Sequence, residues 1–124
     1  MSDELIRFIF DTTDIRGEWV QLERSYADAL ANHHYPPGVR RLLGEFLAAV
    51  ALLGATLKFE GTLILQARSQ GEVPLIMAEP TSNQEVRAIA RGAHAAMGTQ
   101  FAELLAAGQL AITIDPQQGQ RYQG

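Results

Sequence analysis

The chain has 124 residues and a mass of 13.6 kDa, a length that suits one domain. Its 47% hydrophobic and 19% charged residues supply a core and exclude a disordered chain. Ten basic and fourteen acidic side chains give a net charge of −4, which argues against a nucleic-acid partner. The absence of cysteine excludes disulfides, thiolate zinc sites and cysteine nucleophiles within these residues.

No segment of the sequence indicates export or membrane insertion. The first four residues are acidic where a secretory signal would be basic, and no continuous apolar stretch follows them. The longest apolar run, residues 46–57, falls short of the ~20 residues that a membrane-spanning helix needs. We therefore expect no membrane association.

The start of the chain predicts a pair of strands. Residues 5–10 are apolar and aromatic and precede a turn sequence rich in Asp and Thr. Residues 15–22 alternate in part and predict a second strand with a bulge at Gly17.

Two helices are predicted next. Ser25, followed three residues later by Asp28, is a weak capping signal for a short helix over residues 26–32. After two prolines, apolar residues recur at helical spacing and predict one long helix over about residues 38–56. Its second half is apolar on nearly all sides, so we expect that half to lie in the centre of the domain.

The rest of the chain predicts a meander. Its elements are strands over residues 62–68, 73–78, 85–91 and 110–114 and a helix over residues 99–107. Residues 85–91 also fit a helix, because Arg87 and Arg91 lie one turn apart, but strand is preferred. After a turn, residues 120–124 resemble the first half of a returning strand, which predicts that the chain is a fragment of a longer protein. The fold class is α+β, with antiparallel sheets packed against helices.

No group of residues in the sequence indicates catalysis or metal binding. His33 and His34 are expected at a solvated helix end and His94 in a loop, without the spacing of a zinc site. No glycine-rich phosphate loop is present, and Ser25 and Ser69 lack the turn that exposes a nucleophile. We predict no catalytic, cofactor-binding or metal-binding residue in this chain.

The remaining polar and aromatic residues have ordinary structural readings. Four acidic residues that lie close together in the sequence are expected on a polar turn and on the solvent-exposed face of a strand: Asp11, Asp14, Glu18 and Glu23. The dispersed aromatic residues are expected mostly in the core, and Arg40, Arg41, Arg87 and Arg91 at the solvated surface. A small enzyme using Glu18 or His94 is a third reading, but no motif supports it.

Several short motifs in order resemble the amino-terminal part of the heat shock protein 33 family. They are R-G-E at residues 16–18, N-H-x-Y-P at 32–36, A-T-L-K-F-E-G at 55–61, V-R-A-I-A-R at 86–91 and Y-Q-G at 122–124. Ala88 departs from the family, which often has glycine there, and a β-carbon could alter a close backbone approach.

This resemblance implies an ATP-independent, redox-regulated holdase of the cytoplasm. Such a protein captures unfolding proteins under oxidative and heat stress and passes them on for refolding. The resemblance also implies two antiparallel sheets and a homodimer. A strand edge left unpaired at Gly124 is expected to favour pairing with a second copy, with domain swapping as one route. Residues 1–124 would be a truncated amino-terminal domain that binds clients and dimerises. The residues that contact clients are not identified by the sequence.

In the family, a carboxy-terminal module holds zinc through four cysteines, and their oxidation activates the chaperone. None of these cysteines occurs in this chain, so zinc is expected only in a full-length parent. The alternative reading is a structural or dimerisation domain, with client binding performed by that missing carboxy-terminal part.

Overall fold

The described part of the chain folds into two antiparallel sheets and three helices. A computed structural model describes residues 2–57, 60–81 and 85–124. The elements are β1 (Asp3–Ile9), β2 (Arg16–Leu22), α1 (Arg24–Leu30), α2 (Pro37–Thr56), β3 (Gly61–Arg68), β4 (Leu75–Pro80), β5 (Val86–Arg91), α3 (Phe101–Leu104), β6 (Gln109–Pro116) and β7 (Tyr122–Gln123). β1 and β2 form a hairpin, and the larger sheet has the order β5-β4-β3-β6-β7. The predicted α+β class is confirmed.

The core forms where α2 packs on the larger sheet. Pro37 is the first residue of the helix and Pro36 precedes it as the N-cap. Proline suits the first helical position because it fixes the backbone angle that a first turn needs and lacks the N–H that would stay unpaired there. The apolar residues that recur every three or four positions then contact β3, β4 and β5. The largest side chains that are fully buried are Leu43, Leu47, Ile76, Leu104, Val39, Val50 and Val73.

The long helix matches its predicted bounds but not its predicted burial. Its fully buried residues lie between Gly38 and Val50, and none follows Val50. Residues 51–55 are half-buried, because this end of α2 borders an open groove beside the hairpin. The expectation that the second half lies in the domain centre therefore holds as far as Val50 and is wrong for the turns that follow it.

The hairpin has an unbroken register, so the predicted bulge at Gly17 is absent. Each residue of β1 pairs with one residue of β2, from Asp3 with Leu22 to Ile9 with Arg16. Gly17 lies opposite Phe8, and a β-carbon on Gly17 would lie 2.3 Å from the tip of the Phe8 ring. Gly17 thus makes room for an aromatic ring across the strands instead of interrupting them.

Two predicted elements shift because the turn over residues 69–74 packs on α3. The N–H of Val73 donates to the carbonyl of Leu104 at 2.9 Å, and that of Gln70 to Ala106 at 3.0 Å. Val73 therefore belongs to the turn, and β4 begins at Leu75 and not at residue 73. α3 spans four residues and not the predicted 99–107, because the carbonyls of Leu104, its last residue, and of Ala106 accept hydrogen bonds from this turn.

The remaining strand predictions agree with the structure. β5 is a strand paired with β4, which decides between the two readings of residues 85–91. β7 returns along β6, and Gly124 exchanges two backbone hydrogen bonds with Ile112 at 2.7 and 3.0 Å. Met1, Lys58, Phe59 and the predicted turn residues 82–83 lie outside the described residues, as does Gln84.

We expect Gly38→Ala to lower the free energy of unfolding by about 1–3 kcal/mol, because it overpacks a close backbone approach. A β-carbon on Gly38 would lie 2.1 Å from the carbonyl oxygen of Gly98. Gly54→Ala is the matched control in the same helix, since its β-carbon would meet Pro80 at an ordinary 3.6 Å. That control should gain about 0.5–1 kcal/mol from helix propensity. Urea unfolding followed by circular dichroism measures both, and equal effects would contradict the packing seen here.

Candidate binding surface

One face of the β1–β2 hairpin is apolar and exposed. Ile6 lies opposite Trp19, and Phe8 lies opposite Gly17, so their side chains share one side of the hairpin. The same alternation continues to Phe10 and Ile15, which flank the turn over residues 11–14. We call this surface the hairpin face; its apolar members and their exposed fractions are Ile6 (50%), Phe8 (46%), Phe10 (54%), Ile15 (59%) and Trp19 (44%).

The hairpin face is a contiguous patch and not a scatter of single residues. The rings of Phe8 and Phe10 make an edge-to-face contact with centroids 5.9 Å apart. Ile6 and Trp19 are direct cross-strand neighbours, which places their side chains within contact distance. Contiguous exposed apolar patches mark interaction sites, so the hairpin face is the strongest candidate for binding another protein.

A groove of about 950 Å³ lies beside the hairpin. Its apolar lining comes from the hairpin, the second half of α2 and the ends of the large-sheet strands. That lining includes Leu5 of β1, Val50, Ala51 and Gly54 of α2, Leu63 of β3 and Val86 of β5. Asp3, Glu4, Arg7 and Glu85 add charge along it.

Polar contacts attach one end of the hairpin to the end of α2. Arg7 donates through Nη2 to the carbonyl of Ala55 at 2.6 Å, and its Nε lies 3.7 Å from Glu18 Oε1. Thr56 Oγ1 donates to Glu18 Oε2 at 2.8 Å. A cation beside the last helical carbonyls is favourable. Glu18 therefore connects two elements, and the reading of Glu18 as a catalytic acid gains no support.

Asp3, on strand β1, caps the start of helix α1. Its Oδ1 accepts the backbone N–H groups of Arg24 and Ser25 at 2.9 and 3.2 Å, and its Oδ2 accepts the Ser25 hydroxyl. The structure gives α1 no cap from its own neighbouring side chain. The prediction that Ser25 caps the helix with Asp28 is wrong, because Ser25 lies inside α1 and is buried.

The surroundings of Asp3 lower its pKa. Partial burial raises the pKa, but the hydrogen bonds from Ser25 and Arg24 and the Arg24 charge outweigh burial, so the pKa of Asp3 lies below its ordinary value. These partners favour the folded state while Asp3 is ionised. Their contribution is present above the unfolded-state pKa of about 3.9 and is lost as the pH falls through the lower folded-state pKa.

We therefore expect Asp3→Ala to lower the free energy of unfolding by about 1 kcal/mol at neutral pH, as the loss of a helix cap does. The difference between the variant and the unmodified chain should shrink as the pH falls below about 4. Urea unfolding at a series of pH values measures it. A difference that stays constant down to the acid limit would contradict the role of the ionised carboxylate. Asp28→Ala is the control, since it removes a carboxylate that lies on α1 itself and not the capping carboxylate of Asp3.

The other residues singled out in the sequence lie apart from the hairpin face. His33 and His34 follow α1 and are exposed, with the His33 ring stacked on Tyr35, and His94 lies in an exposed turn. Glu23 accepts a hydrogen bond from Gln21, and Ser69 bonds within its own turn. Asp11 and Asp14 are exposed in the turn between β1 and β2.

The arginines sit at the surface. Arg87 pairs with Glu79 across β4 and β5, and Arg41 with Glu45 on α2 at 3.5 Å. Arg40 and Arg91 are exposed. Over the described ranges, no three His, Asp or Glu side chains are grouped to hold a metal. The helices of the same ranges include none that is long and apolar enough to cross a membrane.

The exposed aromatic residues were missed by reading the sequence. We expected most aromatics in the core, yet among those described only Phe46 is fully buried. The signal was present: Ile6, Phe8 and Phe10 alternate along one strand, and Trp19 falls opposite them once the turn is placed. A second, separate set of exposed apolar residues comprises Met97, Phe101, Leu110 and Tyr122.

Comparison with known proteins decides the family. A model of the family described as Hsp33 protein matches residues 3–124. The chain belongs to the Hsp33 family. This membership confirms the family resemblance that was inferred from the order of the short sequence motifs.

Curated relatives agree over nearly the whole chain. One from Pseudomonas paraeruginosa strain PA7, named 33 kDa chaperonin, is 55% identical over 99% of this chain and 42% of its own length. One of the same name from Pseudomonas syringae pv. tomato is 58% identical over 95% of this chain and 40% of its own length. The chain thus spans about two-fifths of the relatives that it matches.

Proposed function

We propose that this chain is the amino-terminal domain of an ATP-independent holdase, and that its hairpin face holds unfolding proteins. The observation that carries the proposal is the contiguous patch of five exposed apolar residues on a two-stranded hairpin. Unfolding proteins expose apolar side chains, and burying them against such a patch is favourable without any nucleotide. The relatives' name, 33 kDa chaperonin, supports the same activity. Such a domain binds without performing catalysis.

Regulation belongs to the longer protein in this proposal. A permanently exposed patch promotes self-association, so a holdase benefits from a cover that is removed under stress. We propose that oxidation of a zinc-binding cysteine module removes this cover in the cytoplasm. The chain has no cysteine, so its own residues offer no thiolate for that zinc. The module would lie in the three-fifths of the relatives' length outside these residues.

A second candidate is a structural or dimerisation domain. Leu110 of β6 and Tyr122 of β7 are exposed apolar residues on paired strands, which favours contact between copies, and a homodimer would bury them. Domain swapping is one route to such a dimer. In that case client binding would depend on the carboxy-terminal part.

The test compares residues 1–124 with a full-length oxidised relative. Each is added at several ratios to heat-unfolded citrate synthase, and light scattering follows aggregation. We expect residues 1–124 alone to slow aggregation without ATP. Suppression by the full-length relative but none by residues 1–124 would overturn our proposal in favour of the structural role. A molecular mass from light scattering, measured on the same samples, reports whether the chain is a dimer.

A further inference from the structure

The hairpin packs loosely on the rest of the described chain. No residue of β1 or β2 is fully buried, and among the described strands the two pair only with each other. A two-stranded hairpin is marginally stable by itself and depends on packing against a helix or further strands. Few buried apolar contacts are typical of a segment that opens more readily than the whole domain unfolds.

An open space lies between β2 and the helix on which it packs. It measures about 160 Å³, and its lining includes Val20 and Leu22 of β2 and Gly44, Leu47 and Ala48 of α2. Side chains that border an open space lose the contacts that atoms in that space would have made. The apolar surface between β2 and α2 therefore holds the hairpin only weakly.

Polar contacts hold the hairpin at two places. At its base, Asp3 accepts hydrogen bonds from the start of α1, into which β2 leads. Farther along, Arg7 and Glu18 face each other across the strands, and both contact the last turn of α2, at Ala55 and Thr56. We call these last four residues the latch. The base is joined by the chain as well as by hydrogen bonds, so it serves as a hinge.

The latch releases without leaving a buried polar group unpaired. Arg7 and Glu18 pair with each other on the hairpin, so they stay together when it moves. The single hydroxyl proton of Thr56 has two acceptors, Glu18 Oε2 at 2.8 Å and the carbonyl of Leu52 at 2.9 Å. The hydroxyl therefore keeps a partner in its own helix. The bond from Arg7 to Ala55 is exposed at a helix end, where water replaces the donor.

We propose that the hairpin pivots about its base as one unit, and that the latch sets the balance between a docked and an open position. Opening parts β2 from α2 and uncovers the apolar side chains between them, including Val20, Leu22 and Ala48. The regulatory part of the inference rests on the proposed function, because the uncovered surface adds to the apolar area that an unfolding protein buries. The latch thus regulates binding from within this chain.

Thiol labelling measures the opening, because the chain has no cysteine of its own. Val20→Cys places a thiol at the half-buried contact between β2 and α2, and Ala78→Cys places one in the core. Arg7→Met removes the donor and charge of the latch. We expect it to raise the rate of labelling by dithionitrobenzoate at position 20 about three- to tenfold, and to leave the rate at position 78 unchanged. An equal increase at both positions would indicate general destabilisation and overturn the pivot.

Arg16→Met is the matched control for Arg7→Met. Arg16 lies on the same hairpin, is exposed and forms no ion pair with the described residues. The same loss of charge there should leave the rate at position 20 unchanged. An increase equal to that from Arg7→Met would assign the effect to the charge of the hairpin and overturn the role of the latch. Circular dichroism checks that each variant folds.

A chemical lock tests the link to binding. Glu18→Cys combined with Thr56→Cys puts thiols at two positions whose side chains touch in the docked hairpin. A short bismaleimide joins them and fixes the docked position, whereas N-ethylmaleimide caps them and leaves the hairpin free. We expect the capped chain to suppress aggregation of heat-unfolded citrate synthase about threefold better than the joined chain. Mass spectrometry verifies the join, and equal suppression would overturn the regulatory role.

The pivot and the proposed function fail in distinguishable ways. Labelling at position 20 that is unchanged by Arg7→Met would reject the latch and leave the holdase activity standing. Latch-dependent labelling in a chain that suppresses no aggregation would retain the pivot and reject the holdase activity of this chain.

Discussion

Leu47→Ala should lower the free energy of unfolding by about 3–5 kcal/mol, the largest stability effect that we expect in this chain. Leu47 is fully buried near the middle of α2, within the core cluster that α2 forms with the larger sheet. Alanine would remove the apolar contacts of the leucine side chain and leave a cavity that the surrounding helix and strands cannot fully close. Because domains of this size are marginally stable, such a loss would leave little of the folded state.

Urea unfolding followed by circular dichroism measures this effect. Leu110→Ala is the matched control, since Leu110 is 61% exposed and the same truncation there should change stability by less than about 0.5 kcal/mol. Similar destabilisation by the two variants would contradict the placement of the core.

The second large effect concerns binding. Replacing Phe8 and Trp19 together by serine should weaken aggregation suppression about tenfold, because roughly half of each large apolar side chain is available to a client. Their exposed fractions are 46% and 44%. Light scattering of heat-unfolded citrate synthase at several protein ratios measures it.

The control removes equivalent surface elsewhere. Leu110 and Tyr122 are 61% and 59% exposed and lie outside the hairpin face, so their double serine variant should keep most of the activity. Thermal melts establish that each variant is folded at the assay temperature. Equal loss of suppression from the two double variants would show that apolar surface in general, and not the hairpin face, holds the client.

Local patterns predicted the elements that rest on local causes. The two prolines and the helical spacing of apolar residues placed α2, and β-rich runs between turn residues placed the strands. The ambiguous residues 85–91 are a strand because β4 supplies a pairing partner, which no local pattern contains.

The errors arose where a distant part of the chain decides the outcome. α1 is capped by Asp3, which lies 22 residues before Ser25 in the sequence. α3 ends early because the carbonyls of its last residue, Leu104, and of Ala106 accept hydrogen bonds from the turn over residues 69–74. Neither contact has a signature in the neighbouring sequence, and capping rules consider only adjacent residues.

The candidate site was missed for a related reason. Alternation shows that Ile6 and Phe8 share a face, but it does not show whether another element covers that face. The prediction that α2 is buried beyond Val50 failed for the same reason. A helix that is apolar on all sides is expected to be covered, but the covering elements come from other parts of the chain. Sequence patterns indicate which surfaces are apolar, and tertiary packing decides which of them stay exposed.

The central claim is that the hairpin face contacts unfolding proteins, and site-specific photo-crosslinking tests it most directly. A benzoylphenylalanine placed at position 8 should crosslink to heat-unfolded citrate synthase and not to the native enzyme. The same probe at position 110, on β6, should crosslink weakly under both conditions. Strong crosslinking from position 110 with none from position 8 would contradict the account.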